Sequence, residues 1–185
     1  MVFLTAAVVV VGLAVAVDLL LTVGVIRRLR QHTALLNETA GPRTLLPPKA
    51  GDPIGAFEAV TLDGQAVSRE TLPPGGLVLF LGPGCVGCEK QLPALVEELR
   101  ASGRPQAATL AIIPAEPEKA AHMISALESL AMVVCEPPPS TYLQDAFGVW
   151  SSPWAIAVDG DTITAISANL PQLVASARPP VAVGS

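Results

Sequence analysis

The sequence predicts an α/β fold, a mixed central sheet flanked by helices, preceded by one N-terminal transmembrane helix. Three observations predict it. Residues 2–26, "VFLTAAVVVVGLAVAVDLLLTVGVI", carry a single charge, Asp18. From residue 77 onward, short unbroken apolar runs alternate with stretches whose apolar residues recur at helical spacing. Near the C-terminus two apolar runs flank Asp159-Gly160-Asp161, a hairpin signal. Strand–helix alternation followed by a hairpin implies helices packed on a mixed sheet.

The membrane helix follows from length. At about 1.5 Å per residue, residues 2–26 would cross a hydrocarbon core of about 30 Å. Arg27, Arg28 and Arg30 come next and would anchor it in headgroups. Ala14-Val15-Ala16 has the small-x-small look of a signal-peptide cleavage site. Against cleavage, no positive n-region precedes the run, and apolar residues continue to Ile26. The predicted organisation is therefore a transmembrane helix and basic anchor (1–30), a stalk and Pro/Gly linker (31–52), a folded domain (53–178) and a flexible tail (179–185).

Within the domain, "AFEAVTLDGQAV" alternates and turns at Asp63-Gly64, as a hairpin does. "SRETL" predicts a short helical turn capped by Ser68. "LVLFL" (77–81) is a strand buried on both faces. A helix runs from Cys85 to about Ser102, with Cys88, Leu92, Leu95, Val96 and Leu99 on one face. "AATLAII" (107–113) is the next buried strand. Pro117 opens a helix carrying Ala120, Ile124, Leu127 and Ala131 on one face. "AMVVC" (131–135) is a strand, and "TYLQDAF" a short helix ending at Gly148. "WAIAV" and "TITAI" form the hairpin, and a last helix spans about 170–177.

Composition narrows the function. With 51% hydrophobic and 15% charged residues the chain is too apolar to be disordered. A net charge of −5 and no basic patch beyond Arg27–Arg30 argue against a nucleic-acid partner. Three cysteines cannot build a multi-disulfide scaffold or a four-thiolate zinc site.

Two of the three stand in "FLGPGCVGCEKQLP" (80–93), as Cys85 and Cys88. The i, i+3 spacing brings their Cα atoms within the roughly 4.4–6.8 Å that a disulfide needs. Cys85 falls at the helix start, where free N–H groups and the helix dipole stabilise a thiolate, the reactive form. Cys88 lies one turn deeper on the apolar face, shielded and suited to resolve a mixed disulfide. Half of a metal site, or two packed cysteines, is the bland alternative. A zinc site would need two further ligands, and no second Cys/His pair is spaced to supply them.

"LVLFLGPGCVGCEKQLPAL" resembles the strand, active-site turn and first helix of the thioredoxin fold, including Pro93 where a thioredoxin helix carries a kinking proline. "AGDPIGAFEAVTLDGQAVSRETL" resembles the N-terminal extension of the peroxiredoxin-like and membrane-anchored TlpA-type redoxin branch. "FGVWSSPWAIAVDGD" resembles the segment with a cis-proline before a strand. The resemblance covers about residues 50–177. It implies a thioredoxin-like fold and a membrane-tethered thiol–disulfide oxidoreductase with a redox-active Cys85–Cys88 disulfide and no other cofactor. It also implies a cis Pro153 beside the dithiol, with Ser152 offering its backbone to substrate peptides. The membrane helix, arginines and "GPxCxxC" turn together are similar to the disulfide oxidoreductase of methylamine-utilisation clusters. There are departures from the thioredoxin pattern. Gly84 stands where a Trp precedes the first cysteine, Val-Gly replaces Gly-Pro, and Leu79 replaces a buried Asp.

The implied partners are protein disulfides and dithiols. Asp18 shares a helix face with Ala14 and Thr22, and a carboxylate in a membrane helix suggests a membrane redox partner there. A protonated or interfacial Asp18 is the alternative. Cys135 reads as a small buried hydrophobe or a third redox thiol, and His122 as a solvated residue. Of Trp150 and Trp154, one is expected in the core and the other over the dithiol. A peroxiredoxin-like thiol peroxidase is a second reading; it calls for Thr or Ser three residues before the attacking cysteine, where Gly82 stands. A non-enzymatic redoxin-fold metal-delivery or assembly factor is a third; it calls for CxxxC and a distal histidine. The location is a single-pass position in the cell membrane. The arginines after the helix favour a cytoplasmic domain, whereas the resembled family works outside.

Overall fold

The computed structural model describes residues 47–177. The expected membrane helix, with Asp18 and the arginines, lies outside the described residues, as do most of the stalk and the tail from 178. Among the described residues no helix is long and apolar enough to cross a membrane.

A five-stranded mixed sheet organises the domain. Its strands are β3 (Gly76–Phe80), β4 (Thr109–Ile113), β5 (Met132–Cys135), β6 (Trp154–Asp159) and β7 (Thr162–Ser167). The spatial order is β5-β4-β3-β6-β7. β3, β4 and β5 run parallel, while β6 and β7 are antiparallel to their neighbours. A separate hairpin of β1 (Glu58–Val60) and β2 (Ala66–Ser68) precedes it. Its turn is held by Thr61, whose hydroxyl bonds the Asp63 carboxylate and takes the Gln65 N–H at 2.9 Å.

Burial explains the unbroken apolar runs. Every residue of β3 and β4 is buried, and successive side chains enter different cores. Leu77, Leu79, Ala111 and Ile113 join Cys88, Leu95, Met123 and Leu173 on one face. Val78, Phe80, Leu110 and Ile112 join Phe57 and Phe147 on the other. There Phe147 packs tilted against Phe57 and edge-on against Phe80, with ring centroids 5.2 and 5.5 Å apart. A strand with a core on each side favours apolar residues at every position, so alternation disappears, and Thr109 at the start of β4 is the one buried polar side chain in these two strands.

The first face is covered by helices α1 (Val86–Ser102), α2 (Ala121–Leu127) and α4 (Leu170–Ser176). The second holds α3 (Tyr142–Phe147) and the hairpin side chains Phe57 and Val67. Cys88, Leu92, Leu95, Val96 and Leu99 form the buried stripe of α1, as the spacing predicts. Gly103 ends that helix at φ 59°, the left-handed conformation that glycine adopts without a Cβ clash. Pro93 sits exposed inside α1, where it withholds an N–H from the Glu89 carbonyl.

Buried Arg104 closes the sheet end opposite the α1 N-terminus. Its guanidinium donates to the carbonyls of Gly75 at 2.6 Å and Ala177 at 3.3 Å, tying the loop before β3 to the end of α4. Residues 51–54 pair with β7. Gly51 N–H donates to Ile163 O at 2.8 Å, and Ile163 N–H returns to Asp52 O at 2.9 Å.

Three local expectations change. Pro117 does not open a helix. The Ala120 N–H is shared by the carbonyls of Glu116 and Pro117, so the chain makes a turn and α2 begins at Ala121. Ala131 consequently leads into β5 instead of completing the helix face. "SRETL" makes the single turn expected, with the N–H groups of Thr71 and Leu72 both donating to the Ser68 carbonyl at 3.2 Å, but its cap differs. Thr71 Oγ1 accepts the Ser68 N–H at 2.7 Å, so threonine does the capping expected of Ser68. β4 is also shorter than expected, because residues 106–108 form a 3₁₀ turn before Thr109.

Candidate active site

The sheet topology gathers the site. β3 ends at Phe80 beside Trp154, the first residue of antiparallel β6. The segment leaving β3 (81–85) and the segment entering β6 (151–153) therefore meet at one sheet end. Parallel β5 brings Cys135, opposite Ile113 on β4, to that same end.

Cys85 is the N-cap of α1, with extended φ/ψ of −79° and 105°. Its N–H donates to Gly82 O at 3.2 Å, and its carbonyl takes the Glu89 N–H at 3.0 Å. Gly84 supplies the sharp turn before it at φ 76°. The Cys85 Sγ accepts the Cys88 N–H at 3.2 Å. A helix-terminal donor thus points at the sulfur and would stabilise negative charge on it. Cys85 and Cys88 are paired as a disulfide, with Cα atoms 5.2 Å apart. Cys88 has no exposed surface, whereas Cys85 is half-buried.

The Ser152–Pro153 bond is cis, and so is Pro138–Pro139. Ser152 O lies 3.5 Å from Cys85 Sγ, where a reduced thiol could donate to it. Pro153 packs against Gly87, the second of the two residues between the cysteines. A β-carbon on Gly87 would stand 3.2 Å from Pro153 Cδ and 3.9 Å from Cys85 Sγ. All four residues singled out from the sequence, Cys85, Cys88, Ser152 and Pro153, are therefore brought together at this end of the sheet. Gly87 is an addition, found only once the proline is seen to rest on it. A β-carbon on Gly82 would stand 3.6 Å from Ser152 Oγ, so a small residue there leaves the serine room.

The remaining candidates fall around this centre. Leu79, where a thioredoxin would carry a buried Asp, is fully buried in the same core as Cys88. No carboxylate therefore lies at that position. His122 is not merely solvated. Its Nε2 lies 3.0 Å from both Glu89 carboxylate oxygens, linking α2 to the first turns of α1. Trp154 packs partly into the Phe147 core, and its indole N–H donates to Ser151 Oγ at 3.1 Å. Trp150 is half-buried. Cys135 packs partly against the Cys88 core, and burial together with Glu118 and Glu116 pushes its thiol pKa up. Among the described residues no group of three His, Cys, Asp or Glu side chains stands together to hold a metal ion.

Solved structures share this arrangement of strands and helices. The thioredoxin domain of a thiol-disulfide oxidoreductase from Bacteroides vulgatus superposes at TM-score 0.55 with 20% identity, over 70% of this chain and 97% of that one. A thioredoxin-family thiol:disulfide interchange protein from Chlorobium tepidum gives 0.52 and 18%, over 70% and 98%. A secreted Mycobacterium tuberculosis disulfide oxidoreductase homologous to E. coli DsbE gives 0.51 and 18%, over 65% and 95%. At these identities the likeness establishes a thioredoxin-like fold. Comparison with curated protein sequences gave no match. A family model described as the AhpC/TSA family matches residues 50–169, more than half of the sequence and the whole of the sheet, and the chain belongs to that family.

Proposed function

We propose that the protein is a membrane-tethered thiol–disulfide oxidoreductase that exchanges disulfides with partner proteins through Cys85 and Cys88. What supports this reading above all is the asymmetry of the two sulfurs. One is half-buried at a helix N-terminus facing a main-chain carbonyl, and the other is sealed in the core one turn below. In the reducing direction, the Cys85 thiolate attacks one sulfur of a partner disulfide. A mixed disulfide forms, and the partner's other sulfur leaves as a thiolate and takes up a proton. The Cys88 thiolate then attacks Cys85 Sγ, closes the Cys85–Cys88 disulfide and releases the second partner thiol. Two electrons and two protons pass to the partner. The oxidising direction runs the same steps backward.

Ser152 and Pro153 receive the substrate in this reading. The Ser152 main chain borders Cys85, and a partner segment pairing with it would lie as an added strand, with its sulfur beside the thiolate. The residues at hand need no metal or organic cofactor for this exchange. The tether is residues 2–26, with the arginines after them, and the Asp18 face is a contact for a membrane partner.

Insulin reduction by the dithiothreitol-reduced chain tests the activity. Turnover abolished in Cys85→Ser is expected. Peroxide consumption at a rate exceeding disulfide exchange would overturn the reading in favour of a thiol peroxidase.

A further inference from the structure

Two stretches of chain meet at the Cys85 sulfur, and neither carries a charged side chain. One is the turn and helix start, residues 81–88; the other is the segment 148–158 that brings Ser152 and Pro153. They are in contact, since Ser152 O lies 3.5 Å from Cys85 Sγ and a β-carbon on Gly87 would stand 3.2 Å from Pro153 Cδ. The chain that returns along β7 and through α4, residues 162–177, holds no charge either. The β6–β7 side of the site is therefore uncharged. The charged loops at this end of the sheet, with Glu116, Glu118, Lys119 and Glu136, follow β4 and β5 and so stand on the other side of β3. On α1 the first charges are Glu89 and Lys90, of opposite sign and beyond Cys88. Val86 directly follows Cys85 as the first residue of α1. At 67% exposed it is the most open large apolar side chain among the described residues. Neither packing nor helix formation calls for valine there, because Val86 belongs to neither core and β-branched residues are poor helix formers.

We propose that this uncharged face selects the partner: it takes an extended segment whose reactive cysteine has apolar, uncharged residues two places before and after it, and Val86 is the side chain on which those residues rest. This rests on the reading of Cys85 as the attacking thiol and adds the class of segment that it attacks. Covalent geometry sets the reach. A mixed disulfide holds the partner cysteine's Cα about 4.4–6.8 Å from that of Cys85. Side chains two residues away along an added strand share the cysteine's face, at a spacing of about 6.6 Å. The Val86 Cα is about 3.8 Å from that of Cys85, so its exposed side chain stands within their range. A charged side chain laid on this face gives up water and meets no opposite charge. An apolar one gains by covering Val86.

The test uses the full chain, reduced with dithiothreitol and then freed of it. Its substrates are disulfide-linked dimers of the peptide acetyl-Xaa-Ser-Cys-Ser-Xaa-amide, with Xaa leucine, lysine or glutamate. The Cys85 thiolate attacks one sulfur of a dimer and one peptide thiol leaves. The Cys88 thiolate then attacks Cys85 Sγ and the second peptide thiol leaves, so the chain's two thiols become one disulfide as the dimer's disulfide becomes two thiols. Chromatography reads the peptide thiols. Each rate is divided by that of dithiothreitol with the same dimer, which removes the peptide's own reactivity. The leucine dimer is expected to react about fivefold faster than either charged dimer. Val86→Ala should shrink that advantage about twofold. Val86→Glu should raise the lysine-to-glutamate rate ratio about threefold, and Val86→Lys should lower it about as much. Ratios taken within one variant cancel any change in the Cys85 thiolate. A charged dimer that matches the leucine dimer on the parent chain, or a lysine-to-glutamate ratio indifferent to both charged variants, would overturn the proposal. Insulin reduction with equal rates for all three dimers would overturn the selection alone. A reduced, folded chain that exchanges with neither insulin nor any dimer would overturn the oxidoreductase reading, and the selection with it.

Discussion

Replacing Gly87 by alanine separates helix formation from site geometry. The added methyl would stand 3.2 Å from Pro153 Cδ and 3.4 Å from Cγ. Carbon contacts settle at about 3.5–4.0 Å, so the ring must withdraw by a few tenths of an ångström. Two effects then oppose each other. Alanine gains up to about 1 kcal/mol over glycine in a helix interior, and less in the first turn. Overpacking costs about 1–3 kcal/mol in a full core, and the lower end applies because Pro153 is only half-buried. The net loss of stability is expected to stay below about 1.5 kcal/mol. Exchange should suffer more. A misplacement of about 1 Å near reacting atoms can cost about 10²-fold, so a few tenths should slow insulin reduction about three- to fivefold. Urea unfolding gives the first number and the insulin assay the second. If Gly87→Ala proved more stable by about 1 kcal/mol and exchanged disulfides at the parent rate, the Gly87–Pro153 contact would be irrelevant to the site.

Cys88→Ser should trap partner proteins as mixed disulfides on non-reducing gels, while Cys85→Ser traps none; trapping only by Cys85→Ser would reverse the two roles, and equal trapping would remove the distinction between them. Cys135, in a Cys85→Ser/Cys88→Ser chain, should alkylate with a midpoint above the ordinary thiol value of about 8.5, because burial and the two glutamates disfavour its thiolate; a midpoint below that value would contradict the placement. Arg104→Met should cost about 2–4 kcal/mol in urea unfolding by leaving the Gly75 and Ala177 carbonyls without their charged donor. Asp63 has a carboxyl held below the usual range by the Thr61 hydroxyl, so the stability it contributes is present above about pH 4 and lost as pH falls through its lowered folded value; Asp63→Asn should flatten the acid limb of a urea-midpoint profile.

The parts legible from sequence were those with a local cause. β3 and β4 announced themselves because two-sided burial favours unbroken apolar runs such as 77–81 and 110–113, and α1 because Leu92, Leu95, Val96 and Leu99 recur at helical spacing. Ser152 and Pro153 were legible only through the resemblance, since nothing in "SSPW" by itself points to a sulfur 67 residues earlier. Pro117 misled because a proline suits a helix start and a turn equally, and Ala120's shared hydrogen bond decided for the turn. The Glu89–His122 and Gly87–Pro153 contacts join residues whose spacing carries no periodic signal, so they required the packed chain. The cis bond at Pro139 had no cue beyond a run of three prolines.

The central sheet is also a partition wall. Cys88 and Leu79 lie on one side of it, and the phenylalanine cluster of residues 57, 80 and 147 on the other. Substitutions on opposite sides share no side-chain neighbours across the wall, and such changes tend to add independently. Mutational drift can therefore reshape the aromatic chamber, trading rings for aliphatic volume, without retuning the chamber that houses the sulfur. A lineage could accumulate heat tolerance in one room while its electron-transfer properties are inherited intact in the other.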